Sequence, residues 1–424
     1  MCGIRALRAP LRHLEQSPNC AGWTEAMMSP TFLIVHCCKS DPTWPYLYEP
    51  VVSTLQLGVK RAASGWKVET LLLQEIQSAA SMPRALIKLT HPDVVVCVGP
   101  LGCPSMPWSY LHDRGVLTVY YQTEPLHTCA SIPVNEIWDF SWHNIETCAK
   151  TALNGCHDRP AVTTERCGEG YCMECMGFPL GSPTWTWPDS QRACLSLPIP
   201  THTGLCKRKV AMRYVPLGAL NESFAPPFAH QQESVRSLTF VGMSRYRDGK
   251  CWDQLRQQLP EGSNLALTDN VWSHDAFQRV LNSPSIFLNV HKSVVKGSHH
   301  WNASCGDHHN PVTFRFAKLL NSGALLISEK CNQRDELEFA DLVNFTRFSN
   351  LGHKFARLQR LTRAQRHELA VRRRNTFAER FAPEKVFLRA GITELLHRRS
   401  ADDSQTVRPL PIDNHDGYQL EPLQ

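Results

Sequence analysis

Three stretches in the second half of the chain set polar or charged side chains at the ends of apolar runs. Ser237–Val241 runs into Gly242-Met243-Ser244-Arg245. The glycine lets a ligand approach the backbone closely, and the Arg245 guanidinium has the fork geometry that pairs with phosphate oxygens. A second run, Ser285–Leu288, ends in Asn289-Val290-His291. A polar pair at the end of a buried strand costs free energy unless it is satisfied or used. In the third, Arg315 lies on the first turn of a helical pattern over Thr313–Leu320 that stops at Gly323 and leads into Ala324–Ser328 and Glu329. The positive end of such a helix favours an anion, and a carboxylate at the strand end accepts hydroxyl groups of a ribose or sugar. Phosphate and hydroxyl recognition is the chemistry these residue types share. Each also has a plain reading, as an ordinary strand-to-helix turn at Gly242 or a loop-bonded histidine at His291.

Two further clusters have metal-ligating residue types. Cys172-Met-Glu-Cys175 has one knuckle of zinc spacing, with Cys156 and Cys167 before it and Cys194 or Cys206 available to complete four ligands. An irregular insert with free or paired thiols, or translated non-coding sequence, accounts for the same residues. His299-His300, Cys305, Asp307 and His308-His309 form the second cluster. Adjacent histidines point in different directions on an extended chain, so this one reads as a solvated loop.

The elements that must carry these residues follow from periodicity. Thr31–Cys37 and Asp93–Gly99 are continuous apolar runs, as strands covered on both faces require. Lys67–Leu73, Gly115–Tyr121 and Asn135–Phe140 are further strands, and residues 46–63 and 83–89 have helical spacing. Residues 154–207 are rich in Cys, Pro, Gly, Thr and Trp and show neither period, which marks an insert or linker. Order returns at Ala211–Gly218, and strand and helix alternate again as far as residue 345. The expected fold class is α/β, with two doubly wound Rossmann-like domains facing across a cleft. The expected division is a disordered or targeting tail at 1–30, a first domain at 31–153, the insert at 154–207, a second domain at 208–350, Arg-rich helices at 351–399 and a disordered tail at 400–424.

Composition narrows the function. Of 424 residues 42% are hydrophobic, enough for large cores, and no run reaches the length of a membrane span. No apolar segment follows the early arginines, so a secretory signal is not expected and a cytoplasmic location is favoured. The net charge of +6 concentrates late, from Lys354 to Arg380. A solvated helix face explains it, and the absence of aromatic residues between Arg357 and Arg374 argues against nucleic-acid binding. Seventeen cysteines are many. Cys37, Cys38 and Cys97 nonetheless fall in expected buried strands, where cysteine acts as a small hydrophobe.

Tyr214-Val-Pro-Leu-Gly218, Leu238–Gly242, Ile286–His291, Arg315 with Ser322-Gly323-Ala324, and Ile327-Ser328-Glu329 together resemble the CgeB-like glycosyltransferases of the GT-B group. Upstream, Tyr121–Pro125 and Glu136–Asp139 through Asn144 resemble that family's first-domain segments. The resemblance implies a nucleoside diphosphate sugar as donor, a glycan or other hydroxyl acceptor, and no tightly held cofactor. It implies Gly242 and Arg245 near the diphosphate, Asn289, His291 and Arg315 at the donor site, and Glu329 at the nucleotide or sugar. Glu124 and Asn144 would lie on the acceptor side, with Glu124 and His291 the candidates for catalysis. Where many relatives carry glutamate one turn after the arginine, this chain has Lys318. That departure suits the alternative, a silent binding or scaffold protein on the same fold.

Overall fold

Alternation of buried apolar runs with amphipathic helices builds two sheets. The computed structural model describes residues 29–37, 43–73, 91–99, 103, 106–123, 134–146, 194–199, 208–220, 234–244, 249–283, 285–291 and 314–405. The strands of the first sheet are β1 (Thr31–Cys37), β2 (Lys67–Leu73), β3 (Val94–Val98), β4 (Leu117–Gln122), β5 (Glu136–Asp139), β6 (Cys194–Ile199) and β7 (Arg208–Tyr214). They lie in the order β2-β1-β3-β4-β5-β7-β6, parallel except for the β6–β7 pair. Helices α1 (Thr43–Ala62) and α2 (Trp108–Asp113) join successive strands. Alternation along β1 sends Phe32 and Ile34 to one core with Tyr48, Val51 and Leu55 of α1, and Leu33 and Val35 to another with Trp108 and Leu111 of α2.

The second sheet holds β8 (Ser237–Val241), β9 (Asn264–Thr268), β10 (Ser285–Asn289), β11 (Leu326–Glu329) and β12 (Asn344–Thr346), in the order β12-β11-β10-β8-β9 and parallel throughout. Its helices are α3 (Gly249–Gln258), α4 (His274–Leu281), α5 (Arg315–Ser322) and α6 (Gln333–Glu338). Ser273 caps α4, accepting from the Ala276 amide at 3.2 Å. Gly323 ends α5 with a left-handed φ of 77°. In both sheets the second strand lies outside the first, so the chain reverses direction between β1 and β3 and again between β8 and β10. Ligands of open parallel sheets bind beyond the carboxyl ends at such reversals.

Four terminal helices, α7 (Leu351–Gln359), α8 (Arg363–Arg380), α9 (Pro383–Arg389) and α10 (Ile392–Gln405), complete the described chain. α8 packs on α5 in the second domain, while α9 packs against α1 in the first. Gly58 permits the latter contact, since a Cβ there would lie 2.3 Å from the Phe387 ring. Arg61 adds an ion pair to Glu384 at 3.0 Å.

The structure corrects the sequence reading in five places. β7 was assigned to the second domain, yet Ala211–Tyr214 pair with Glu136–Asp139 of β5 in the first sheet. Arg213 fixes that choice, donating to Glu136 at 2.6 and 2.7 Å and to the Ala390 carbonyl at 3.1 Å. Cys194–Ile199, read as part of an aperiodic insert, is an antiparallel edge strand. Cys97 is not a free hydrophobe but is bonded to Cys103, and Cys37 is also disulfide-bonded. The Arg-rich helices are not wholly solvated: Arg366 is fully buried, donating to the Gln359 and Leu361 carbonyls, and Arg373 is 6% exposed beside Asn344. Finally, α10 extends to Gln405, into the segment expected to be a disordered tail.

Candidate functional site

Polar side chains meet where β8, β10 and β11 end. Asn289, fully buried at the end of β10, donates from Nδ2 to Ser328 Oγ at 2.9 Å. Its Oδ1 accepts from Arg315 Nη1 at 2.7 Å. The amide thus acts as a bridge that aims the guanidinium, and Phe240 supports it with its ring centroid 4.8 Å from Arg315 Cζ. Gly242 leaves room for this cation: a Cβ there would sit 2.8 Å from Arg315 Nη2, and the φ of 142° also favours glycine. Burial lowers the Arg315 pKa to about 10, so the group remains a cation at neutral pH. Beyond Gly242, Ser244 donates from its amide and its hydroxyl to Asp269 at 2.7 and 2.8 Å, which fixes the turn. Glu329 Oε2 accepts from the His291 amide at 2.7 Å, joining the ends of β10 and β11.

Of the residues singled out in the sequence, Gly242, Asn289, His291, Arg315 and Glu329 are therefore brought together. Asn144 lies in the first domain, where its Nδ2 donates to Asp139 Oδ1 at 3.1 Å. Glu124, Arg245, Cys167, Cys172 and Cys175 lie outside the described residues, as do the histidines between 299 and 309. Cys194 opens β6. Among the described residues no group of three or more His, Cys, Asp or Glu could hold a metal ion. Among the same residues no helix is long and apolar enough to cross a membrane.

The first sheet contributes residues that the motifs passed over. His36 lies one residue before the end of β1 at the first chain reversal, 8% exposed, and burial pulls its pKa down to about 4, so the imidazole is neutral. Its position as a polar residue near the end of an apolar run is the same signal that identified Asn289 and His291. Asp139 ends β5 fully buried, and burial pushes its carboxyl well above the usual carboxylate range.

The two domains touch around this site. Phe140 packs on Phe314 with centroids 4.6 Å apart, and the Leu220 amide donates to Asn321 Oδ1 at 3.0 Å. Lys318, one turn after Arg315 on α5, reaches Glu49 of α1 at 2.6 Å and lies over the Tyr46 ring. The departure noted in the sequence is thus a buried contact between domains.

No family model and no curated protein matches the sequence. Solved structures with a similar chain course include α,α-trehalose 6-phosphate synthase from Burkholderia multivorans, at 12% identity and a TM-score of 0.47 over 90% of this chain and 99% of that one. Anabaena HepE, solved with UDP-glucose, superposes with a TM-score of 0.45 at 11% identity, covering 87% and 99% of the two chains. S. aureus MnaA, solved with UDP, gives 0.37 at 10% identity over 88% and 97%. Both sheets of this chain are doubly wound, with strand orders β2-β1-β3-β4-β5-β7-β6 and β12-β11-β10-β8-β9.

Proposed function

We propose that this protein is a glycosyltransferase that moves a sugar from a nucleoside diphosphate sugar to a hydroxyl acceptor. The observation that carries the reading is the half-buried Arg315 cation, aimed by Asn289 at the backbone of Gly242 where the second sheet reverses its order. A guanidinium held there stabilises charge that grows on a leaving diphosphate. In this reading Arg245 adds a second cation, and Glu329 accepts hydroxyls of the ribose or sugar. Asn144 and Glu124 belong to the acceptor side. Glu124 takes the acceptor proton if the transfer inverts configuration, and His291 stands beside the reacting carbon.

Thermal unfolding of the wild type and Arg315→Ala with a panel of nucleoside diphosphates and their sugars tests this reading. Stabilisation by one nucleotide, lost in the variant, is the expected result. A folded wild type that no nucleotide stabilises would refute it. The Lys318–Glu49 contact supports a second reading, a silent nucleotide-sugar binder, because the lysine face of α5 is already engaged by α1. That reading predicts the same thermal shifts without turnover on any acceptor.

A further inference from the structure

Asp335 lies in α6 of the second domain, yet its hydrogen bonds are made to the first. Its Oδ2 accepts from Ser141 Oγ at 2.5 Å and from the His143 amide at 3.4 Å, while Oδ1 accepts from the Trp142 amide at 3.0 Å. These donors are the amino end of the helical turn 142–146, where Ser141 Oγ also accepts from the His143 amide at 3.2 Å and Asp335 takes up the Trp142 amide. Both Asp335 and Ser141 are fully buried. Flanking contacts follow the same seam, from Asn332 Nδ2 to Glu146 at 2.8 Å and from Arg334 to Glu146 at 3.5 Å. Arg334 also stacks over the Trp142 ring.

We propose that Asp335 is a positioning residue that sets how closely the two domains approach, by seating α6 on the turn 142–146 in a proton-dependent way. The contact joins segments that each lead directly from a cleft strand, β5 on one side and β11 on the other, so its loss widens the cleft without touching the donor cluster.

The charges facing Asp335 explain the proton dependence. From the first domain come Glu146 and the buried Asp139 and Tyr214. On its own side Cys331 feels both Asp335 and Glu336, Arg334 pairs with Glu146, and Glu338 and Arg389 of α9 act together with Asp335 on Tyr214. Burial raises the Asp335 pKa to about 7, against three hydrogen bonds that lower it, and Glu146 pushes it further up. A carboxyl whose pKa is higher in the docked state favours docking when protonated. The contact is therefore firmest in acid, weakens as pH rises from the ordinary carboxyl value of 3.8 towards about 7, and weakens no further above that.

The test is hydrogen exchange at the Trp142 and His143 amides, corrected for intrinsic rate, together with the radius of gyration, from about pH 5 to about pH 9. The wild type should open more readily as pH rises towards about 7, by about tenfold per unit, and level off above it, with a matching expansion. Asp335→Asn, which cannot ionise, should give a flat profile, and Ser141→Ala should be looser than wild type while keeping the pH dependence. The same pH profile in Asp335→Asn as in wild type would overturn the proposal, as would a Ser141→Ala protein no more open than wild type. None of these readouts requires nucleotide binding, so the proposal stands or falls separately from the donor-site reading.

Discussion

The carboxyl end of the second sheet ties its polar side chains into a network around a cation, whereas that of the first carries one buried acid, Asp139, and a neutral imidazole, His36. In the second, Asn289 links Ser328 to Arg315, and Glu329 holds the His291 backbone. In the first, His36 and Asp139 sit at separate strand ends, with His36 Nδ1 and Asp139 Oδ2 lacking hydrogen-bond partners among the described residues. The strong ion pair of the first domain, Arg213–Glu136, lies at the paired strands β5 and β7, where it binds the terminal helices instead of facing the cleft. A network that holds a cation before any ligand arrives is preorganised for an anion, and no reorganisation cost falls on binding. The first sheet, with an acid raised by burial and an unprotonated imidazole, holds no such cation at its strand ends among the described residues.

That contrast can be broken most forcefully at Arg213. Arg213→Met strands the Glu136 carboxylate in the core, and unfolding by urea should register a loss of about 3–5 kcal/mol, with nucleotide affinity unchanged in the folded fraction. The same pair gives a pH signature. Burial opposes the Glu136 charge, but Arg213 outweighs it and holds the carboxyl below its ordinary value of 4.5. Its contribution is present above that value and is lost as pH falls below it, so the wild type should lose more stability in acid than Glu136→Gln does. A smaller effect is expected at Gly242→Ala, which forces the Arg315 guanidinium aside and strains the backbone by about 1–3 kcal/mol. Nucleotide binding should weaken more than stability does, and equal losses in both would mean that Gly242 only shapes the turn. Ser273→Ala should cost about 1 kcal/mol by removing the α4 cap, with nucleotide affinity intact.

Much of this was legible before the structure. Parallel strands buried on both faces must read as unbroken apolar runs, so the pattern alone marks Thr31–Cys37, Asp93–Gly99 and Ser285–His291, where the strands run Thr31–Cys37, Val94–Val98 and Ser285–Asn289. Asn289, His291 and Glu329 stood out because polar residues are costly at such ends. What stayed hidden depends on partners far along the chain. The run containing β7 looks the same whichever sheet it joins, and only its pairing with β5 decides. Arg366 and Arg373 have ordinary helical spacing, and their burial comes from carbonyls and Asn344 outside α8. A cysteine bonded to Cys103 and a cysteine acting as a hydrophobe are equally apolar in sequence, so Cys97 was misread. Asp335 and Ser141 are separated by 194 positions, and neither carries a motif.

The central claim, that the second sheet binds the nucleotide diphosphate through Arg315, is tested most directly by calorimetric titration of nucleoside diphosphates into the wild type and Arg315→Ala. One nucleotide should be preferred, with affinity falling by about ten- to a hundredfold in the variant, the worth of a hydrogen bond to a charged group. Equal affinity in a folded Arg315→Ala protein would contradict it.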